Sequence, residues 1–354
     1  MRQRVFDPEG LRSILVIRLY FLGDVLFSTP VLEALKGRYP GASLTVLVKK
    51  RARDILASNP FVDEVLLYDE VERYHCPPWS TRLALLLRRR RFDLAVDLTG
   101  DLRSSWLLFA CEPGFRVGFN HVGLSFLLDR SIPYRARGHV IDHLLKAVEP
   151  VGAVSAGAAP TLCLTDDERR AGAEAVRGVG VREGQSYVVI SPGSNRLARR
   201  WPAPRFGRLS SLVRERLAAT PIVTGAADDA GLADEVVEAS AGAAVSLAGA
   251  TGVRVFAAVA AGARAFVGND SGPLHIAASQ GTPVVGLYGP TDPTNYAPRG
   301  GASRVLWAGY PCCPCDQRRC GRESDPCMAA ISVDEAFEAL ASVLAETNAG
   351  SVQS

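Results

Sequence analysis

Lysine is scarce in this chain. Only Lys36, Lys49, Lys50 and Lys146 stand among 40 basic residues, and arginine supplies the rest. An arginine can therefore occupy a position where another protein would use lysine. The excess of positive charge is small: the formal net charge is +3 over 354 residues, which argues against nucleic acid as a partner. Long apolar runs are missing. The first, "ILVIRLYFLGDVLF", is broken by Arg18 and Asp24 and falls short of the ~18–20 uninterrupted apolar residues of a membrane span. With no signal peptide visible either, we expect a soluble, cytoplasmic protein. The G-x-G-x-x-G fingerprint is absent, which disfavours an NAD-dependent oxidoreductase. Histidine is sparse, and positions 75, 121, 139 and 143 show no metal-ligand spacing. Cysteine is unevenly spread: five of the eight lie between 312 and 327, a local site rather than a secreted disulfide framework.

What the chain does have is a repeated alternation. Short apolar runs at 13–19, 44–48, 64–69 and 93–98 form one set of predicted strands. A second set falls at 187–191, 221–225, 244–249, 265–269 and 283–289. Helical patterns lie between them at about 25–38, 80–91, 102–110, 204–218, 228–240 and 272–280. Continuous apolar strands separated by helices imply parallel sheets covered on both faces. The pattern occurs twice, so we expect an α/β protein of two doubly wound domains. The stretch "VGAVSAGAAPTLCLTDDERR" (151–170) is rich in small residues and reads as the linker. An amphipathic helix, 331–346, closes the chain.

In such sheets ligands bind where the strands end. The stretch "GNDSGPLHIAASQGTPVVGLYGPTDP" (268–293) is a strand, a turn and a helix start. The N–H groups of Ser271 and Gly272, with the positive end of the helix dipole, offer an anion site. Gly272 permits close approach, and His275 lies one turn in. The plainer alternative is that Asp270 or Ser271 only caps the helix. "SPGSNRLARRWP" (191–202) follows the first strand of the second set. Ser194 and Asn195 offer donors there, and Arg199 or Arg200 a cation, unless the loop is merely solvated. "TGAADD" (224–229) offers Asp228 for a ribose hydroxyl or base amine, or for a helix start. In the first domain Asp24 is either a helix cap or a carboxylate placed as a general base. "LRRRRFD" (87–93) is either a solvated helix end or a contact for acidic lipid headgroups. The run Cys312, Cys315, Cys320 and Cys327, with Cys313 extra, fits a tetrahedral structural Zn or Fe site, two disulfides or free thiols.

The segments "LGDVLFSTPVLEALKGRYP", "FDLAVDLTGDLRSS", "SPGSNRLARRWP", "VTGAADD" and "AFVGNDSGPLHIAASQGTPVVGLYGPTDP" together resemble glycosyltransferase family 9, the bacterial lipopolysaccharide heptosyltransferases, and span almost the whole chain in family order. The resemblance implies a GT-B fold: an acceptor-binding Rossmann-like domain (1–160), a nucleotide-sugar-binding one (161–332), a cleft between them, and a C-terminal helix and tail (333–354) crossing back to the first. It implies metal-independent, inverting transfer of heptose from ADP-heptose to a lipid A–Kdo or inner-core acceptor. Apart from the resemblance, we expect a lipid acceptor to be met by peripheral, arginine-mediated contact at the inner membrane. Asp24 falls on the family's base. Asp270, Ser271, Gly272 and His275 fall on its diphosphate run, and Arg199 on a cation that is commonly lysine. Ser194 and Asn195 are a looser match to the family's paired polar residues, and the acidic nucleotide contact falls on Asp228, with Asp229 as the alternative. A transferase of another nucleotide sugar, one with a protein acceptor, and a noncatalytic nucleotide-sugar-binding protein are the alternatives.

Overall fold

The computed structural model describes residues 6–68, 81–120, 123, 125–133, 138–155, 157, 159–315, 320–322 and 326–350. The chain divides into two compact units, 1–163 and 164–354. The expected boundary at 160 differs by three residues. The stretch read as a linker ends sooner than predicted, because Thr165 and Glu168 form a reciprocal cap that starts a helix at Asp166.

The first unit carries β1 (Ser13–Arg18), β2 (Ser43–Val48), β3 (Glu64–Leu67), β4 (Leu94–Asp97), β5 (Phe115–Asn120) and β6 (Arg130–Pro133). They form one sheet in the order β3-β2-β1-β4-β5-β6, and every neighbouring pair is parallel. All but the first residue of β1 and of β2 are buried, as helices on both faces require. Two of these strands were not read from the sequence. In β5 the buried Arg116 interrupts the apolar pattern, and Asp129 neutralises it at 3.2 Å. β6 is a short, largely exposed edge.

The second unit repeats the plan with β7 (Tyr187–Ser191), β8 (Thr220–Val223), β9 (Val245–Ser246), β10 (Ala265–Asn269), β11 (Val284–Tyr288) and β12 (Ser303–Trp307). The order is β12-β11-β10-β7-β8-β9, again all parallel. Counted from its own first strand, this is the first unit's order over again. Both are doubly wound sheets whose strand order reverses beside the first strand. The reversal lies between β1 and β4 in one unit and between β7 and β10 in the other. Helices Asp166–Gly178 and Val253–Ala261, also unforeseen, pack together where a Cβ on Gly172 would stand 2.6 Å from that of Ala258. Helix Val333–Gly350, which the resemblance carries back to the first domain, buries Ala336, Leu340, Val343 and Leu344 in the second unit's core, beside Trp201 and Phe206.

Candidate active site

In the second unit the reversal point gathers the loops after β7 and β10. The loop after β7 runs from Pro192 to Trp201, and Asn269 clamps both its ends. Its amide donates to the Pro192 carbonyl at 2.7 Å and its oxygen accepts from the Trp201 N–H at 3.0 Å. Trp201 is in turn anchored by its indole N–H on the Ile331 carbonyl at 2.9 Å and by an edge contact with Phe206 at 4.8 Å. A rigid frame thus holds the single 3-10 turn, Leu197–Arg199, that presents Arg199.

Arg199 reaches across to Asp270, with Nη1 to Oδ2 at 2.9 Å. Asp270 is buried at 4% exposure, and His275 Nε2 lies 3.8 Å from its other oxygen. Burial pushes the Asp270 carboxyl up. The His275 hydrogen bond, the Arg199 charge and the Thr291 hydroxyl outweigh that and hold it below its ordinary value. Asp270 is therefore a carboxylate that fixes two cationic or proton-donating groups, and not itself a cradle for an anion. Ser271 follows in extended backbone and makes no side-chain cap to helix Gly272–Ser279, so the capping alternative fails for it. Its hydroxyl and the Arg199 Nε are buried without a hydrogen-bond acceptor or donor among the described residues. Unspent donors, a helix N-terminus and a guanidinium meet here, and that combination suits a phosphate.

The remaining predicted residues of this unit are placed less uniformly. Ser194 is buried, and its hydroxyl accepts from the Arg196 N–H at 3.5 Å. Asn195 and Asp228 are exposed. Asp229 is the acid engaged with the loop: Arg200 pairs with it at 3.2 Å and also donates to the Ser194 carbonyl at 2.9 Å. Gly193 makes room for this, since a Cβ there would stand 2.6 Å from the Asp229 carboxylate. Asp292 caps helix Pro293–Tyr296 through the Thr294 N–H at 2.8 Å.

In the first unit, Asp24 sits in the short helix Leu22–Leu26 directly after β1. One carboxylate oxygen accepts from the Phe21 N–H at 3.3 Å. The other faces the Arg18 guanidinium at 3.6 Å, with the Asp24 side chain 32% exposed and that of Arg18 6%. The cap and the solvent-reachable carboxylate are thus the same group. The loop after β4 supports it. Arg18 donates to the Leu98 carbonyl, and the Leu19 N–H donates to the Thr99 hydroxyl at 2.8 Å.

Sequence reasoning missed what holds Thr99. Asp97, fully buried at the end of β4, accepts from the Thr99 N–H at 2.9 Å, the Gly100 N–H at 3.0 Å and the Ser104 hydroxyl at 2.8 Å. Burial pushes its carboxyl up to about 6 against those hydrogen bonds, which favour the anion. A strand-final Asp in the run Asp97-Leu98-Thr99-Gly100 was the available signal. The arginines of 87–93 behave as a helix end: Arg88 pairs with Glu112 at 2.8 Å and Arg90 with Glu64. His143 stacks on Phe119 at 4.5 Å. His75 and His121 lie outside the described residues.

The cysteine segment hangs on the loop after β11 through the Cys315 N–H, which donates to the Pro290 carbonyl at 2.9 Å. Burial and the neighbouring Cys327 and Cys312 push the Cys313 thiol up to about 12. Among the described residues no three metal-ligating side chains gather into one group. Cys320 and Met328 face Leu197 and Arg200 across a cavity of about 170 Å³, so the cysteine segment adjoins the loop that carries Arg199.

Residues 80–324 match the family model for glycosyltransferase family 9 (heptosyltransferase). The chain is 26% identical over 306 residues to lipopolysaccharide heptosyltransferase 3 of Escherichia coli K12, covering 81% of this chain and 85% of that protein. Its fold is similar to the crystal structure of a family 9 glycosyltransferase from Veillonella parvula, with a TM-score of 0.83 and 23% identity over 95% and 97% of the two chains. It is similar also to the ADP-heptose lipopolysaccharide heptosyltransferase II of E. coli, with a TM-score of 0.77 and 22% identity over 95% and 99%. Both units therefore have the fold expected of GT-B transferases.

Proposed function

Because the chain belongs to glycosyltransferase family 9, the heptosyltransferase family, we propose that it transfers heptose from ADP-heptose to an inner-core acceptor of lipopolysaccharide. The observation that carries this reading is the group formed by Arg199, Asp270 and His275 beside the uncapped Ser271. Donors already oriented toward one point stabilise the negative charge that grows on a leaving diphosphate, without reorganising as the bond breaks. Arg199 supplies charge, Ser271 and the Gly272 N–H supply hydrogen bonds, and Asp270 holds Arg199 and His275 in place. The Asp229 and Arg200 pair shapes the neighbouring loop, where Ser194, Asn195 and Asp228 line the nucleotide's approach.

Asp24 is the general base. It takes the proton from the attacking acceptor hydroxyl, which then displaces ADP from the opposite face of the sugar and inverts the anomeric centre. Arg18 orients this carboxylate from 3.6 Å. No metal is asked for in the chemical step. Among the described residues, Cys312, Cys315, Cys320 and Cys327 do not gather into a metal-binding group as they stand; a structural Zn or Fe would have to draw them together, and it would then only stiffen the segment beside the Arg199 loop. No helix among the described residues is long and apolar enough to cross a membrane. A lipid-linked acceptor would then be met at the cytoplasmic face of the inner membrane by peripheral contact.

Mass spectrometry of products after incubation with ADP-heptose and a panel of truncated lipid acceptors tests the reading. One added heptose on at least one acceptor is expected. Transfer to none of them, with turnover of a different nucleotide sugar, overturns the donor assignment.

A further inference from the structure

We propose that residues 49–53 of the first unit form an oxyanion subsite for the acceptor, recognising a phosphate or carboxylate group on the saccharide; the inference rests on the transferase reading above. Strand register brings the segment to the base. Arg18 of β1 pairs with Val48 of β2, so the chain leaves both strands side by side, toward Asp24 in one case and into Lys-Lys-Arg-Ala-Arg in the other. Ala52, Ile55 and Leu56 are buried. Those anchors turn Lys50, Arg51 and Arg53 outward, where all three are exposed, while Lys49 is half-buried.

Phe21 joins the cations to the base. The Arg51 guanidinium lies over its ring, 4.6 Å from the centroid, and its N–H donates to the Asp24 carboxylate. Its ring is 51% exposed, an apolar platform beside the cations. Arginines elsewhere in the chain commonly meet a carboxylate, as Arg88, Arg103, Arg116, Arg200 and Arg254 do. Among the described residues no carboxylate pairs with Arg51 or Arg53. Guanidinium forks bind phosphate and carboxylate oxygens in a fixed plane. An acceptor held by such an anion and by the Phe21 ring would present its neighbouring hydroxyl to Asp24 in one orientation, which is what transfer needs.

The test compares the wild type with Arg51→Gln, Arg53→Gln and the double variant. Acceptor binding is followed by calorimetry, transfer by product formation, and ADP affinity separately. The double variant is expected to weaken acceptor binding and raise acceptor KM about tenfold, and to flatten their dependence on salt, while ADP affinity stays within about twofold. Acceptors with the carboxyl reduced, or with the phosphate removed, show which anion is read: the one that matters makes wild type and variant alike. Wild-type acceptor affinity and salt dependence retained in the double variant would overturn the subsite. Acceptor binding that the variants lose, with no transfer by the wild type, would uphold the subsite and overturn the transferase reading instead.

Discussion

The Arg199 guanidinium and the Asp270 carboxylate meet at 2.9 Å, joining two loops of the second unit, with Asp270 buried and Arg199 partly open to solvent. The carboxylate is therefore the fixed member and the guanidinium the one it aims. Asp270→Asn should keep the volume but release both Arg199 and His275. ADP affinity is expected to fall by about 10- to 100-fold, on the order of 1.4–3 kcal/mol for lost charge-assisted contacts. Calorimetric titration with ADP reads this directly. Because the folded Asp270 carboxyl lies below its ordinary value, its stabilisation is present above the ordinary carboxylate range and is lost as pH falls through the folded value. The wild type should lose more stability on acidification than Asp270→Asn does.

Asp24 makes the complementary prediction. Asp24→Asn keeps an oxygen for the Phe21 N–H, so the short helix should survive. Turnover is expected to fall ~10²-fold or more, with ADP affinity nearly unchanged. Steady-state kinetics and ADP titration on one preparation separate the two, and near-normal turnover would dismiss the base assignment.

Asp97 should leave a trace in the pH dependence of stability with the opposite sign. Its folded pKa is raised to about 6, so the fold favours the protonated form. Stability from this group is complete below the ordinary carboxylate range and is lost as pH rises through about 6. Asp97→Asn is neutral at every pH and can still accept from Thr99 and Gly100. Thermal unfolding at pH 5 and pH 8 should differ less in the variant than in the wild type, by on the order of 1–3 kcal/mol. An unchanged difference would mean that Asp97 is ionised without penalty.

Two glycines of the second unit separate packing from helix propensity. In helix Ala203–Leu217, a Cβ on Gly207 would stand 2.5 Å from the Ala239 Cβ and 2.7 Å from its carbonyl carbon. Gly207→Ala should destabilise by about 1–3 kcal/mol. In helix Ala230–Ala239, Gly231 has nothing within 4 Å of an added Cβ. Gly231→Ala should be neutral or stabilising by up to about 1 kcal/mol. Denaturant unfolding of the pair checks both.

The fold was legible wherever burial on both faces makes a strand continuously apolar, as in β1, β2, β7, β10 and β11. It was not legible where an arginine is neutralised by a partner brought in by folding, as Arg116 is by Asp129, or where an edge strand is half-exposed, as β12 is. The residues at the reversal points were legible too, since strand ends, Asp270, Ser271, Arg199 and Asp24 all lie in short motifs. Their division of labour was not. That Asp270 orients cations, that Asn269 clamps the arginine loop and that Asp97 props the loop beside Asp24 depend on contacts between segments far apart in sequence. The helix starting at Asp166 is the instructive miss. Its capping box was present in the letters, but the small residues before it suggested a linker.

A crystal structure of the ADP complex tests the central claim most directly. The account predicts the β-phosphate at the start of helix Gly272–Ser279, within hydrogen-bonding distance of the Ser271 hydroxyl and the Gly272 N–H, with Arg199 on its oxygens. ADP bound elsewhere on the second unit, with Arg199 and Ser271 untouched, would contradict it.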